Sequence, residues 1–146
     1  MPVPESPIRH RGRLFRIHPW DPIIDDRWTF IDWDAAAPST RLWDLAYAAQ
    51  AFTLSDPGQA PVEAARNLSA FIDGYDGNEG LRRELAEAMY RRAAAMYQLL
   101  KLSKVAGLEP RSSMYTDGHG DHWRAAASYV QHHHALWATA LPASTR

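Results

Sequence analysis

The sequence predicts a mainly α chain with one short β-hairpin near its start. Two observations carry that prediction. Four segments after residue 40 place apolar side chains three and four positions apart, the spacing of a single helix face. The only β-type runs are two short ones before residue 32, flanking Asp25-Asp26-Arg27.

Taken in order, residues 1–17 hold Pro2, Pro4 and Pro7 and then a basic cluster of Arg9, His10, Arg11, Arg13 and Arg16. No periodicity runs through them, so they read as a loose basic arm ahead of one domain, residues 18–146. Ile23-Ile24 and Trp28 to Ile31 read as a hairpin over about 22–32 with an Asp-containing turn. A polar loop ends at Pro38-Ser39-Thr40, where Ser39 or Thr40 suits an N-cap.

The first helix, about 40–54, carries Leu42, Leu45, Ala46, Ala49 and Phe52 on one stripe and stops at Asp56-Pro57-Gly58. Pro61 suits the first turn of a second helix, about 61–75, with Val62, Ala65, Ile72 and Tyr75 on one face. Gly74, Gly77 and Gly80 mark a break. A long third helix, about 81–105, buries Leu81, Leu85, Met89, Met96 and Leu100 and ends on Gly107. The last helix, about 122–140, aligns Trp123, Ala127, Val130, His134, Trp137 and Leu141. Each helix is amphipathic, so the four can bury their stripes against one another.

Bulk composition narrows the function classes. The chain has 146 residues, enough for one core. Its formal net charge of -1 argues against a dedicated nucleic-acid partner. The absence of cysteine removes disulfides, thiolate nucleophiles and Cys-ligated zinc, and fits a cytoplasmic setting. No apolar run reaches membrane-spanning length, and the first residues lack the apolar stretch of a signal peptide. Among the 16 basic residues only Lys101 and Lys104 are lysines.

The residues with chemical promise surround the hairpin. Phosphoryl transfer needs a carboxylate to hold Mg²⁺ against the phosphates, a second metal ligand and a base that aligns the hydroxyl. Asp32, directly after a short strand, is well mounted for the first task. The chain reads HPWDPIIDDRWTFIDWD and then RLWDLAYAAQAF. This combination resembles the aminoglycoside phosphotransferase-like family of small-molecule kinases. In that family an HGDxxxxN loop, a short hairpin, an I-D-W-D/E element and a D-L-A helix follow one another.

The resemblance spans about residues 18–141 and implies the helical C-lobe of a protein-kinase-like fold. It implies that Asp32 holds Mg²⁺ with Asp21 assisting, that ATP is the phosphoryl donor, and that the acceptor is a hydroxyl of a small molecule. It gives Asp44 and His18 structural roles, Asp44 pinning the catalytic loop from its helix. Three departures from the family pattern bear on the activity it implies. Arg16 falls where the catalytic base aspartate stands, with Leu14 and Phe15 in place of His and Gly, and a guanidinium cannot accept a proton. Asp21 replaces the metal-binding asparagine, which keeps an oxygen donor. No lysine or Gly-rich phosphate loop precedes Asp32. The expectation is therefore a lobe that is inactive or incomplete alone. The alternative is a non-catalytic truncated remnant serving as a helical interaction or oligomerisation module.

Other features have plainer readings. Asp34 fits a solvated loop. His119-Gly120-Asp121 spells a catalytic tripeptide in the wrong order along the chain, and Asp121 fits an N-cap. His132, His133 and His134 point about 100° apart on a helix and cannot converge on one ion, with His134 on the apolar stripe and the other two in solvent. His119 and His122 have ligand-like spacing without a paired carboxylate. The six tryptophans read as packing. Asp73, Asp76, Glu79 and Asp117 offer charge for a small cationic substrate or form a solvated face. A second copy of the chain and a separate N-lobe are the macromolecular partners this reading admits; nucleic acid and membrane are not.

Overall fold

The computed structural model describes residues 22–24, 28–30 and 39–142. The chain is mainly α. Strand β1 (Pro22–Ile24) pairs antiparallel with β2 (Trp28–Phe30), with Ile23 opposite Thr29. The basic arm, the rest of the expected hairpin to residue 32 and the polar loop to Pro38 lie outside the described residues.

Helix α1 spans Arg41–Thr53. Of the two expected caps, Thr40 serves: its Oγ1 accepts from the Trp43 amide at 3.2 Å. Leu45, Ala46 and Ala49 are buried as their spacing requires. Phe52, expected on that stripe, is instead exposed and stacks on Phe71 of the next helix, because α1 ends at Thr53 and Leu54 turns into the core in its place. Asp56 Oδ1 accepts from the Gly58 amide at 2.8 Å and closes the turn.

Helix α2 (Pro61–Gly74) starts on its proline. It buries Ala64, Ala65, Leu68 and Ile72, while Val62 faces out rather than in.

Helix α3 (Glu79–Ala106) starts two residues earlier than expected. Asn78 caps it, Oδ1 accepting from the Leu81 amide at 2.9 Å, so Gly80 lies inside the helix instead of in the break. Gly107 ends it with φ 65, a conformation open to glycine.

The stretch before the last helix, to which the sequence assigns no element, is largely helical. Helix α4 (Arg111–Met114) leads into Tyr115–His119, where Gly118 leaves the helical conformation at φ 104 and kinks the chain before α5 (Gly120–His132). Helix α5 thus starts one residue before Asp121, and the expected N-cap is corrected: Asp121 lies in the first turn and pairs with Arg124 at 2.9 Å. The single helix expected over 122–140 is also corrected, since it breaks at His133 and resumes as α6 (His134–Ala140). The buried Trp137 indole donates to the Val130 carbonyl at 3.0 Å, taking an acceptor that a continuous helix would use for its own backbone. The break turns His133 onto the Tyr129 and Trp137 rings and leaves His134 half-exposed, 3.8 Å from Glu87, so His133 and His134 exchange their expected places.

Helix α3 is the axis of the body, with α1, α4 and α5 packed along it and α2 against α1 and α6. One buried cluster joins Leu45, Leu54, Leu68, Ile72, Leu85, Met89, Val130, Trp137 and Leu141; a second joins Tyr47, Met96, Leu100, Trp123 and Ala126. Each fully buried leucine contributes about 2 kcal/mol by leaving water. Among the described residues no helix is long and apolar enough to cross a membrane.

Candidate functional site

Of the residues the sequence nominates, Arg16, His18, Asp21, Asp32 and Asp34 lie outside the described residues. Asp44 lies within them, and its surroundings can be built from the bottom up. The Thr40 cap fixes the first turn of α1, and the Asp44 amide donates to the Thr40 carbonyl at 3.1 Å. That turn places Trp43, Asp44 and Tyr47 together at the helix N-terminus, where the macrodipole favours a negative charge. Asp44 is only 6% exposed. Ionised carboxylates are seldom taken that far out of water unless something holds them.

Against this turn stands Arg92 of α3, itself 6% exposed. Its guanidinium carbon lies 5.2 Å from the Trp43 ring centre and 4.8 Å from that of Tyr47. A cation over two aromatic faces gains about 1–2 kcal/mol per ring once desolvated. Tyr47 stacks in turn on Trp123 of α5 at 5.9 Å. Three helices thus converge on the end of α1 that follows the IDWD element: α1 supplies the carboxylate, α3 the cation and α5 the backing ring.

Arg92 was not legible as a site residue, although a signal was present. Arg82, Leu85, Met89, Arg92 and Met96 recur at three and four positions, so both arginines fall on the buried stripe of α3. Arg82 acts at the other end of the body. Its Nε donates to the Gly77 carbonyl at 2.7 Å, Nη1 to Leu141 at 3.0 Å and Nη2 to Ile72 at 3.4 Å, and it pairs with Asp73 at 2.7 Å. One side chain thereby satisfies carbonyls at the ends of α2 and α6.

The four acidic residues suggested for a cationic substrate are all exposed, and two of them, Asp73 and Glu79, also pair with Arg82 and Arg83. His119 and His122 are also exposed. Among the described residues no three or more His, Asp or Glu side chains come together as a metal site.

Two tyrosines have perturbed acidities. The hydrogen bond and charge shared with Tyr97 raise Tyr115 above the ordinary value of 10.0. Burial, and then the Asp56 charge, raise Tyr129, whose hydroxyl donates to the Gln59 carbonyl at 3.2 Å. Compared with models of known families, with curated proteins and with solved structures, the chain matches none significantly.

Proposed function

We propose that this chain is the helical lobe of an aminoglycoside-phosphotransferase-like fold, which holds Mg²⁺ and ATP through Asp32 and Asp21 but does not transfer phosphate by itself. The observation that supports this reading is the burial of Asp44, 12 positions after Asp32, beside the Trp43–Arg92–Tyr47 stack. A carboxylate withdrawn from water at a helix start suits a residue whose task is to anchor the preceding loop.

In this reading the hairpin is the mount for Asp32, and Asp32 and Asp21 provide the hard oxygen donors that Mg²⁺ takes. Mg²⁺ held by these two carboxylates would supply positive charge against the phosphates of ATP. Arg16 cannot take the proton of an acceptor hydroxyl, so alignment of the nucleophile is missing. Both lysines, Lys101 and Lys104, are carried by α3, well past the metal carboxylate in sequence. The exposed Asp76 and Asp117 would favour a cationic small molecule as the acceptor in a complete enzyme.

Calorimetric titration of Mg²⁺-ATP into the wild type and into Asp32→Asn tests the proposal. Heat in the wild type that disappears in the variant, with no ADP formed, is the expected outcome. Absence of heat in both proteins would refute the nucleotide site, and turnover by the wild type would refute the claim that the lobe is inactive alone.

A further inference from the structure

Three aspartates of the chain are followed directly by glycine: Asp73, Asp76 and Asp117. Glycine has no Cβ to shield its own amide, so at such a step that nitrogen most readily reaches the carboxyl carbon of the aspartate before it. The structure treats the three steps differently. Asp73 lies inside α2, and its carboxylate is held by Arg82 at 2.7 Å. Gly77, after Asp76, is buried, and its amide donates to the Ile72 carbonyl at 3.2 Å. Its own carbonyl accepts from Arg82 Nε at 2.7 Å, and a Cβ there would lie 2.6 Å from Ile72. The nitrogen that would attack Asp76 is therefore engaged and walled in.

Asp117 and Gly118 stand in the open. Both are exposed, and a Cβ on Gly118 would meet nothing within 4 Å. Among the described residues Asp117 joins no ion pair. The two lie in the stretch Tyr115–His119, which contains no buried residue and in which Gly118 has φ 104. A segment with so little buried opens at lower cost than the helices around it.

We propose that Asp117–Gly118 is a site of spontaneous covalent modification, at which the aspartate of the folded protein converts to isoaspartate. When the stretch opens, the Gly118 nitrogen attacks the Asp117 carboxyl carbon. The new C–N bond closes a five-membered succinimide, and the carboxyl hydroxyl leaves with the amide proton as water. Water then adds back at one of the two ring carbonyls. Cleavage at the side-chain carbonyl restores aspartate. Cleavage at the backbone carbonyl leaves the main chain running through the side chain of residue 117. Composition is unchanged, but the backbone gains a methylene between Tyr115 and Gly120, whose close approach fixes the two ends of this stretch. The reaction consumes no reagent other than water. It uses no residue that holds Mg²⁺ or ATP in the proposed nucleotide site and stands apart from that reading.

Prolonged incubation of the full folded chain in heavy-oxygen water at neutral pH tests the proposal, with digestion in ordinary water and electron-transfer fragmentation of the peptides. Each passage through the ring brings in one solvent oxygen, and isoaspartate yields its own backbone fragments. Label and isoaspartate should accumulate at Asp117 at least ~10-fold faster than at Asp73 or Asp76, because those two steps open only with the packed corner that holds them. In urea the three rates should draw together, since the structure that separates them is lost. Asp117→Glu, whose longer side chain closes the ring poorly, should fold by circular dichroism and take up no label at that position. Equal rates at the three steps of the folded chain, or label at position 117 of the variant, would overturn the proposal. So would a lead for Asp117 that persists undiminished in urea, because the preference would then belong to local sequence and not to the fold.

Discussion

The guanidinium of Arg92 lies 4.8 Å from the ring centre of Tyr47, so a cation on α3 is buried against an aromatic face on α1. Truncating one member of such a pair should cost more than its surface area suggests. Arg92→Met should destabilise the chain by about 2–4 kcal/mol, since a desolvated cation and its contacts disappear together. In a double-mutant cycle with Tyr47→Leu, the coupling should be about 1 kcal/mol, read from urea unfolding. Independent, additive effects would mean that the stack contributes packing alone.

Arg82 should be less replaceable still. It fills three carbonyls on two helix ends and one carboxylate. Arg82→Met leaves the three carbonyls without this donor, while the half-exposed Asp73 returns to water, at an expected cost of about 2–4 kcal/mol. Arg82→Lys should recover little, because an ammonium cannot present a planar fork of donors. Thermal denaturation of the two variants measures both effects.

Gly120 is required for a steric reason. A Cβ there would lie 2.6 Å from two carbons of the Tyr115 ring. Gly120→Ala should lose about 1–3 kcal/mol through overpacking. Adding Tyr115→Ala should return part of that loss by clearing the ring, a non-additivity that chemical denaturation would reveal.

Burial raises the pKa of Tyr129 above 10.0, so the folded chain keeps this proton where the unfolded chain has begun to release it. Stability from this group is intact below pH 10 and falls as pH rises through the folded value. Unfolding free energy measured from pH 8 to 11 should decline above about pH 10. Tyr129→Phe should flatten that decline.

The parts of the fold legible in the sequence are those set by local rules. The Pro61 start, the Gly107 stop and the Leu85–Met89–Met96–Leu100 stripe all follow from backbone chemistry or period. Contacts between distant residues were not legible. The Trp137 indole splits the last helix by reaching the Val130 carbonyl, a side-chain event that periodicity cannot register. Phe52 and Val62 fit their stripes yet are exposed, a matter of tertiary placement that period alone does not carry. At the candidate site, Asp44 could be named from its neighbours in sequence. Arg92 could not, since a charged residue on an apolar stripe reads as an interruption until its ring partners are known.

The reach of Arg82 to Leu141 spans 59 positions, so the α2–α3 corner gains this acceptor only after α6 has been made. A nascent chain still lacking α6 can hold the Gly77 and Ile72 carbonyls on the Arg82 fork while Nη1 has no Leu141 carbonyl to reach. Protection of that corner from proteases should rise abruptly once Leu141 docks on Arg82.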